Sequence, residues 1–172
     1  MSNITRRSFI KTALVATAMP LVSSANSENK QELKFIHITD SHMDLGNDAS
    51  VEAIEIMVNF INKNYKNLDF VLFGGDNFNN NTDNFKDAKV FKKIIDKLHC
   101  KSYLVRGNKE SKHSLKFQEI FTNKGLKVSE NDWLLELNGY NILGLDSCIT
   151  DKNNGEFTKK TITFAKNALE TK

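Results

Sequence analysis

Residues 33–42 read Leu-Lys-Phe-Ile-His-Ile-Thr-Asp-Ser-His, a short apolar run that ends in a carboxylate and an imidazole. Two later stretches repeat the design. Residues 68–77 read Leu-Asp-Phe-Val-Leu-Phe-Gly-Gly-Asp-Asn, and residues 101–110 read Lys-Ser-Tyr-Leu-Val-Arg-Gly-Asn-Lys-Glu. Each opens with a run of strand length and closes on a polar cluster. The segments between them have a different period. Val51, Ile54, Val58, Ile61 and Tyr65 recur at helical spacing, as do Ala88, Phe91, Ile95 and Leu98. The pattern predicts strands over Leu33–Thr39, Leu68–Phe73 and Lys101–Val105, with helices over Asp48–Tyr65 and Asn84–Leu98. Asp48 or Ser50 is the expected N-cap of the first helix. Strand–helix alternation implies a parallel sheet with right-handed crossovers.

Beyond residue 110 the pattern changes. A helix is expected over Ser111–Phe121, capped by Ser111. Trp133–Leu137 and Tyr140–Leu145 are short strands joined by Asn138-Gly139, a strong hairpin signal. Thr158–Leu169 reads as a closing helix. The asparagine-rich stretch Asn77–Asn84 reads as a flexible, solvated loop. With 172 residues the chain holds one domain and little more.

The chemistry falls at the strand ends. In an open α/β sheet, ligands bind outside the carboxyl ends of the strands. Asp40, His42, Asp76 and Asn108 all lie there, so side chains more than thirty residues apart are expected to converge. Carboxylate, imidazole and amide oxygen suit Mn, Fe or Zn better than a thiophilic metal. Two such ions about 3.5–4 Å apart can clamp a phosphate and activate water for in-line attack. The glycines before Asp76 and Asn108 are expected to let the backbone turn sharply. Singly, Asp-x-His is weak, because strands often end in Asp and such a histidine is most often a surface residue, while Gly-Gly-Asp and Gly-Asn are ordinary turn sequences. Their joint order and placement carry the metal-site reading.

With those residues placed, the chain from about Leu33 onward resembles the calcineurin-like metallophosphoesterases. The order Asp-x-His, Gly-Asp, then Gly-Asn-His-Glu/Asp is that family's. Leu145-Asp146-Ser147 resembles a segment of the branch that includes cyclic-nucleotide phosphodiesterases. In the last helix Ile162, Phe164, Ala165 and Leu169 take the places of its Leu-x-Trp-Leu-x-x-x-Leu pattern. The resemblance implies an α/β fold, a metallophosphoesterase-type β-sandwich with flanking helices, truncated after its first β-α-β-α-β half and a hairpin. It implies that Asp40 and His42 bind a first metal and that Asp76 bridges two. Asn108 would bind the second metal and touch the phosphate. The cofactors would be two divalent or trivalent ions, and the substrate a phosphorylated small molecule or nucleotide.

Two departures qualify the match. Lys109 stands where the family has a histidine that stabilises the transition state or protonates the leaving group. A lysine ammonium is a weak acid near neutrality, although neighbouring cations push it toward a useful range. It can also hold a phosphate as a point charge. His113 lies nearby, where a loop or cap role is the simpler expectation. The second departure is that the sequence ends at Lys172, ahead of the family's last three histidines. His37, inside the first strand, and His99, at a helix end, do not replace them. The expectation is a domain over 33–172 that is C-terminally incomplete and exposes apolar surface.

The N-terminus reads as an address. Thr5-Arg6-Arg7-Ser8-Phe9-Ile10-Lys11 matches the twin-arginine export pattern. The apolar run 12–22 is shorter than the ~20 residues that span a bilayer. Ser23-Ser24-Ala25 then offers a cleavage site. This predicts a twin-arginine signal peptide over 1–25, a polar linker over 26–32, and export to the periplasm or cell surface. The twin-arginine machinery would be a partner, and no stable membrane anchor would remain after cleavage. Arg6, Arg7 and Lys11 are the only charges before Glu28 and equal the formal net charge of +3. The remainder is balanced and offers no nucleic-acid surface. Cys100 and Cys148 lack metal-ligand or CxxC spacing, which leaves buried thiols or a disulfide.

Two functions follow. One is metal-dependent hydrolysis of phosphoester bonds, monoester or diester, with Asn108 and Lys109 serving the phosphate. The other is a catalytically inactive, truncated remnant with at most weak metal binding. Nucleotide binding at a Rossmann crevice is weaker, because no GxGxxG is present.

Overall fold

The computed structural model of the chain describes residues 32–79, 83–111, 114–123, 125–150 and 152–170. The elements in order are β1 (Phe35–Ile38), α1 (Asp48–Asn64), β2 (Phe70–Phe73), a 3-10 turn (Asp83–Phe85), α2 (Lys86–Ile95), β3 (Lys101–Leu104), α3 (Ser114–Phe121), β4 (Lys127–Ser129), β5 (Asp132–Leu137), β6 (Tyr140–Gly144) and α4 (Lys159–Glu170). The first three strands form a parallel sheet in the order β1-β2-β3. Ile38 pairs with Phe73, and Phe73 with Leu104, so the three carboxyl ends lie level. That register brings the three polar clusters to one edge.

Side-chain alternation in the parallel sheet separates two cores. On one face Val71, Phe73 and Leu104 pack with Ile54 and Val58 of α1, Phe91 and Ile95 of α2, and Phe117 and Phe121 of α3. Full burial of each such side chain stabilises by about 1.5–3 kcal/mol. On the other face Phe70 and Tyr103 meet Trp133 and Leu135 of the antiparallel sheet β4-β5-β6. Trp133 Nε1 donates to the Leu104 carbonyl at 2.7 Å, pinning the second sheet to the end of β3. Gly144 pairs with Trp133. A Cβ there would come within 2.1 Å of the indole, so only glycine fits. The two sheets and flanking helices form the expected β-sandwich. Helix α4 packs through Thr161 and Ala168, while Ile162 and Leu169 stay exposed. Phe35 stacks on Phe70 at 5.0 Å but remains 48% exposed on β1, at the sheet's edge. Among the described residues, no helix is long and apolar enough to cross a membrane.

Several local expectations are corrected. The cap of α1 is Asn47, with extended dihedrals and no side-chain cap bond. Asp48 is the first helical residue, and the Ser50 hydroxyl instead accepts from the Asp44 N–H at 2.9 Å. Asn84 and Phe85 are left-handed, so α2 starts only at Lys86; it ends at Ile95, leaving His99 in the turn beyond. Helix α3 starts at Ser114, three residues beyond Ser111. The Ser111 hydroxyl donates to the Asn108 carbonyl at 2.8 Å and closes the preceding turn. Strand β4 was not anticipated, because Lys127 and Val128 are exposed and show no burial alternation. The stretch from Asn77 is not a solvated loop at its start: Asn77 is fully buried and Asn79 half-buried. The hairpin turn is as expected, with positive φ at both Asn138 (52°) and Gly139 (78°). Both cysteines are free thiols.

Candidate metal centre

The backbones that follow β1 and β2 stay hydrogen-bonded past the strand ends. Asp40 N–H donates to the Gly75 carbonyl at 3.0 Å, His42 to Asp76 at 2.9 Å, and Met43 to Asn77 at 3.0 Å. Within this extension Asp40, His42 and Asp76 all adopt left-handed backbone, with φ of 55°, 44° and 48°. Such residues cost about 1–3 kcal/mol each and persist only where surroundings impose them. The result is convergence. One ligand atom from each of the three side chains lies within 4.8 Å of the others. His42 Nε2 stands 3.8 Å from Asp40 Oδ1 and 3.8 Å from Asp76 Oδ2.

Each of these groups is aimed by a neighbour. Thr39 Oγ1 donates to Asp40 Oδ2 at 2.6 Å. His42 Nδ1 lies 3.1 Å from Asn79 Oδ1. Asp76 Oδ1 accepts from the Lys109 N–H at 3.0 Å. The Asn108 amide lies against the same carboxylate. With its nitrogen turned inward it donates to Asp76 Oδ2 at 2.9 Å and Oδ1 at 3.2 Å, an orientation assigned from the partners. A half-turn of that amide offers its carbonyl oxygen to the same space.

Two glycines and a buried acid hold the loops together. Gly75 has φ +103°, and a Cβ on it would meet Gly107 N at 2.9 Å. A Cβ on Gly107 would lie 2.1 Å from Asp76 Oδ1 and 2.3 Å from Asp76 N. Gly75 thus serves the turn, as expected, whereas Gly107 is needed for close approach. Glu110 is 1% exposed and was given no role from sequence. Its Oε2 accepts from Gly107 N–H at 2.7 Å and Asp76 N–H at 3.1 Å. Its Oε1 accepts from Asn77 at 2.6 Å and Phe78 at 3.3 Å. One carboxyl therefore clamps the loop after β2 to the loop after β3. Burial pushes this carboxyl above its ordinary value; the Gly107, Asn77 and Phe78 N–H groups pull it back, and the Asp76 charge pushes it up again. Its place as the acid of Gly-Asn-x-Glu was the only signal in the sequence.

Residues 33–169 match the family model of the calcineurin-like phosphoesterases. The chain belongs to that family. A search of curated proteins finds no match to it.

The phosphoesterase family is metal-dependent, and the donor set fits. Two atoms each about 2.1 Å from one ion can be at most about 4.2 Å apart, which the 3.8 Å separations at His42 Nε2 satisfy. Two carboxylates and an imidazole with no thiolate are the donors of Mn, Fe or Zn. A cleft of about 250 Å³ is lined by Asp40, Asp76, Asn108, Ser147 and Asn153. The segment after β6 reaches it through a nearly buried ion pair. Arg106 Nη2 lies 2.7 Å from Asp146 Oδ2, and its Nε donates to the same oxygen at 2.8 Å. Cys148 also lines the cleft, with Sγ donating to the Arg106 carbonyl at 3.3 Å. Burial, and then the Asp146 charge, push its thiol up to about 12, so it is no nucleophile near neutrality.

Of the five residues singled out from sequence, Asp40, His42 and Asp76 converge and Asn108 touches Asp76. Lys109 joins through its backbone, and its side chain is exposed. His37 is exposed on the face of β1 opposite Ile36 and Ile38, and His99 is exposed beyond α2. His113 and the twin-arginine segment lie outside the described residues.

Proposed function

We propose that the chain is a hydrolase of phosphoester bonds with two metals, of which Asp40 and His42 would hold the first and Asn108 the second, with Asp76 available to both. The convergence of Asp40, His42 and Asp76 in a family of metal-dependent phosphoesterases carries this reading. Asp76 contacts His42 on one side and the Asn108–Lys109 turn on the other, the position a bridging carboxylate needs. When bound, such ions polarise the phosphoryl group and lower the pKa of water. The chain's residues do the rest. Thr39 and Asn79 hold Asp40 and His42 in place, and the Asn108 amide turns to present its oxygen. Lys109 offers an ammonium to the phosphate as a point charge. Water adds its oxygen to phosphorus, the bond from phosphorus to the leaving oxygen breaks, one proton of that water ends on the departing alcohol, and phosphate or its monoester remains.

The test is turnover of a chromogenic phosphodiester by the expressed chain with Mn²⁺, against Asp76→Ala. Loss in the variant should exceed the ~10–100-fold that removing a mere supporting residue costs. No turnover above the variant would defeat the reading for this chain. A second reading, an inactive member with weak metal binding, is favoured by Lys109 at the family's histidine position. The Asp146-Ser147 segment favours a phosphodiester or nucleotide substrate, as in the cyclic-nucleotide branch. The pattern Arg6-Arg7-x-Phe-Ile-Lys supports export of the domain 33–172 to the periplasm after loss of 1–25. Cell fractionation checks this, and purely cytoplasmic protein would contradict it.

A further inference from the structure

We infer that Asn79 is a positioning residue that sets the tautomer of His42, and that Asp44 in turn sets Asn79. Asn79 Nδ2 donates to Asp44 Oδ2 at 3.0 Å. A carboxylate only accepts, so the amide nitrogen must face Asp44 and the amide oxygen must face His42. That oxygen is 3.1 Å from His42 Nδ1. An amide oxygen also only accepts, so the imidazole bonds to it by carrying its proton on Nδ1. In the neutral ring the lone pair is then left on Nε2, the atom that faces Asp40 and Asp76. A cation needs that lone pair.

The arrangement is opposed locally. Two carboxylates 3.8 Å from Nε2 draw a proton to that atom. Asn79 opposes them from hydrogen-bonding distance, 3.1 Å against 3.8 Å for each carboxylate, and it is anchored for the task. Its backbone N–H donates to the Met43 carbonyl at 2.9 Å. Asp44 is fixed by its N–H to the Ser50 hydroxyl at 2.9 Å and by Oδ1, which accepts from Gly46 N–H at 2.7 Å. The residues from Asp44 to Ser50 thus orient an imidazole from behind, without touching substrate or metal.

The inference rests on the metal-centre reading only for its purpose, and the experiment separates the two. Long-range ¹H–¹⁵N NMR of the metal-free chain, at a pH where the ring is neutral, reads the His42 tautomer; loss of the signal in His42→Gln assigns it. Wild type should show Nδ1–H. Asn79→Leu should move the proton to Nε2 and lower Mn²⁺ or Zn²⁺ affinity by calorimetry about 10–100-fold. The swapped pair, Asp44→Asn with Asn79→Asp, keeps an acceptor toward Nδ1 and a hydrogen bond behind it, and should restore both. A His42 that stays Nδ1–H in Asn79→Leu, or a swapped pair that restores neither property, overturns the inference. If wild type binds no metal, the metal-centre reading fails, while the tautomer still decides the role of Asn79.

Discussion

Replacing Glu110 by alanine should destabilise the protein by about 3 kcal/mol or more, because several backbone donors lose their acceptor at once. Four N–H groups, from Asp76, Asn77, Phe78 and Gly107, converge on this carboxyl. An unsatisfied buried donor costs about 1–3 kcal/mol, and water entering the space left by the side chain recovers only part. At about 2–4 °C per kcal/mol for a chain of this size, the melting temperature should fall by about 6–12 °C. Glu110→Gln should fall between, since one oxygen still accepts while the NH₂ group faces donors. Denaturant unfolding of the three proteins reads the order directly. An unchanged midpoint in Glu110→Ala would show that the loops after β2 and β3 are held by something else.

The same residue gives a pH dependence with a definite sign. In the unfolded chain Glu110 releases its proton near the ordinary value of 4.5, and in the folded protein burial holds the proton to higher pH. Between those two values the native state binds more protons than the unfolded one, so stability falls as pH rises. The stability of wild type relative to Glu110→Gln should therefore be greatest in acid and decline through that window.

Asp76→Asn should separate binding from folding. Asparagine tolerates the left-handed backbone that Asp76 adopts, at φ 48°. Its Oδ1 can still accept from the Lys109 N–H. The lost charge was one that pushed Glu110 up, so its removal relieves repulsion in the apo protein. Stability should change by no more than about 0.5–1 kcal/mol, upward if at all. Metal affinity should fall more than about 100-fold, beyond the cost of losing a supporting residue. Calorimetry and denaturant unfolding on the same preparation measure both. A loss of affinity that merely tracks loss of fold would count against a ligand role.

The fold was legible where local signals and tertiary demands agree. Phe70–Phe73 is apolar throughout because both faces of the strand are covered, and helical periodicity picked out Ile54, Val58 and Ile61 as the buried side of α1. The Asp40, His42 and Asp76 convergence followed from one rule about strand ends. Features set by contacts between loops were not legible. The Glu110 clamp on the loop after β2, the Gly107 approach to Asp76 and the Asn79 bond to His42 join residues 31 to 37 positions apart, or serve a backbone that sequence does not display. Asn84 and Phe85 hid the start of α2, because a left-handed phenylalanine leaves no compositional trace. Strand β4 escaped for a simpler reason: it buries almost nothing.

The most direct test of the metal centre is calorimetric titration of the metal-stripped chain with Mn²⁺ and Zn²⁺. The arrangement of Asp40, His42, Asp76 and Asn108 predicts saturable binding that disappears in Asp76→Asn. No saturable binding by the folded wild-type chain, or equal binding by the variant, would contradict it.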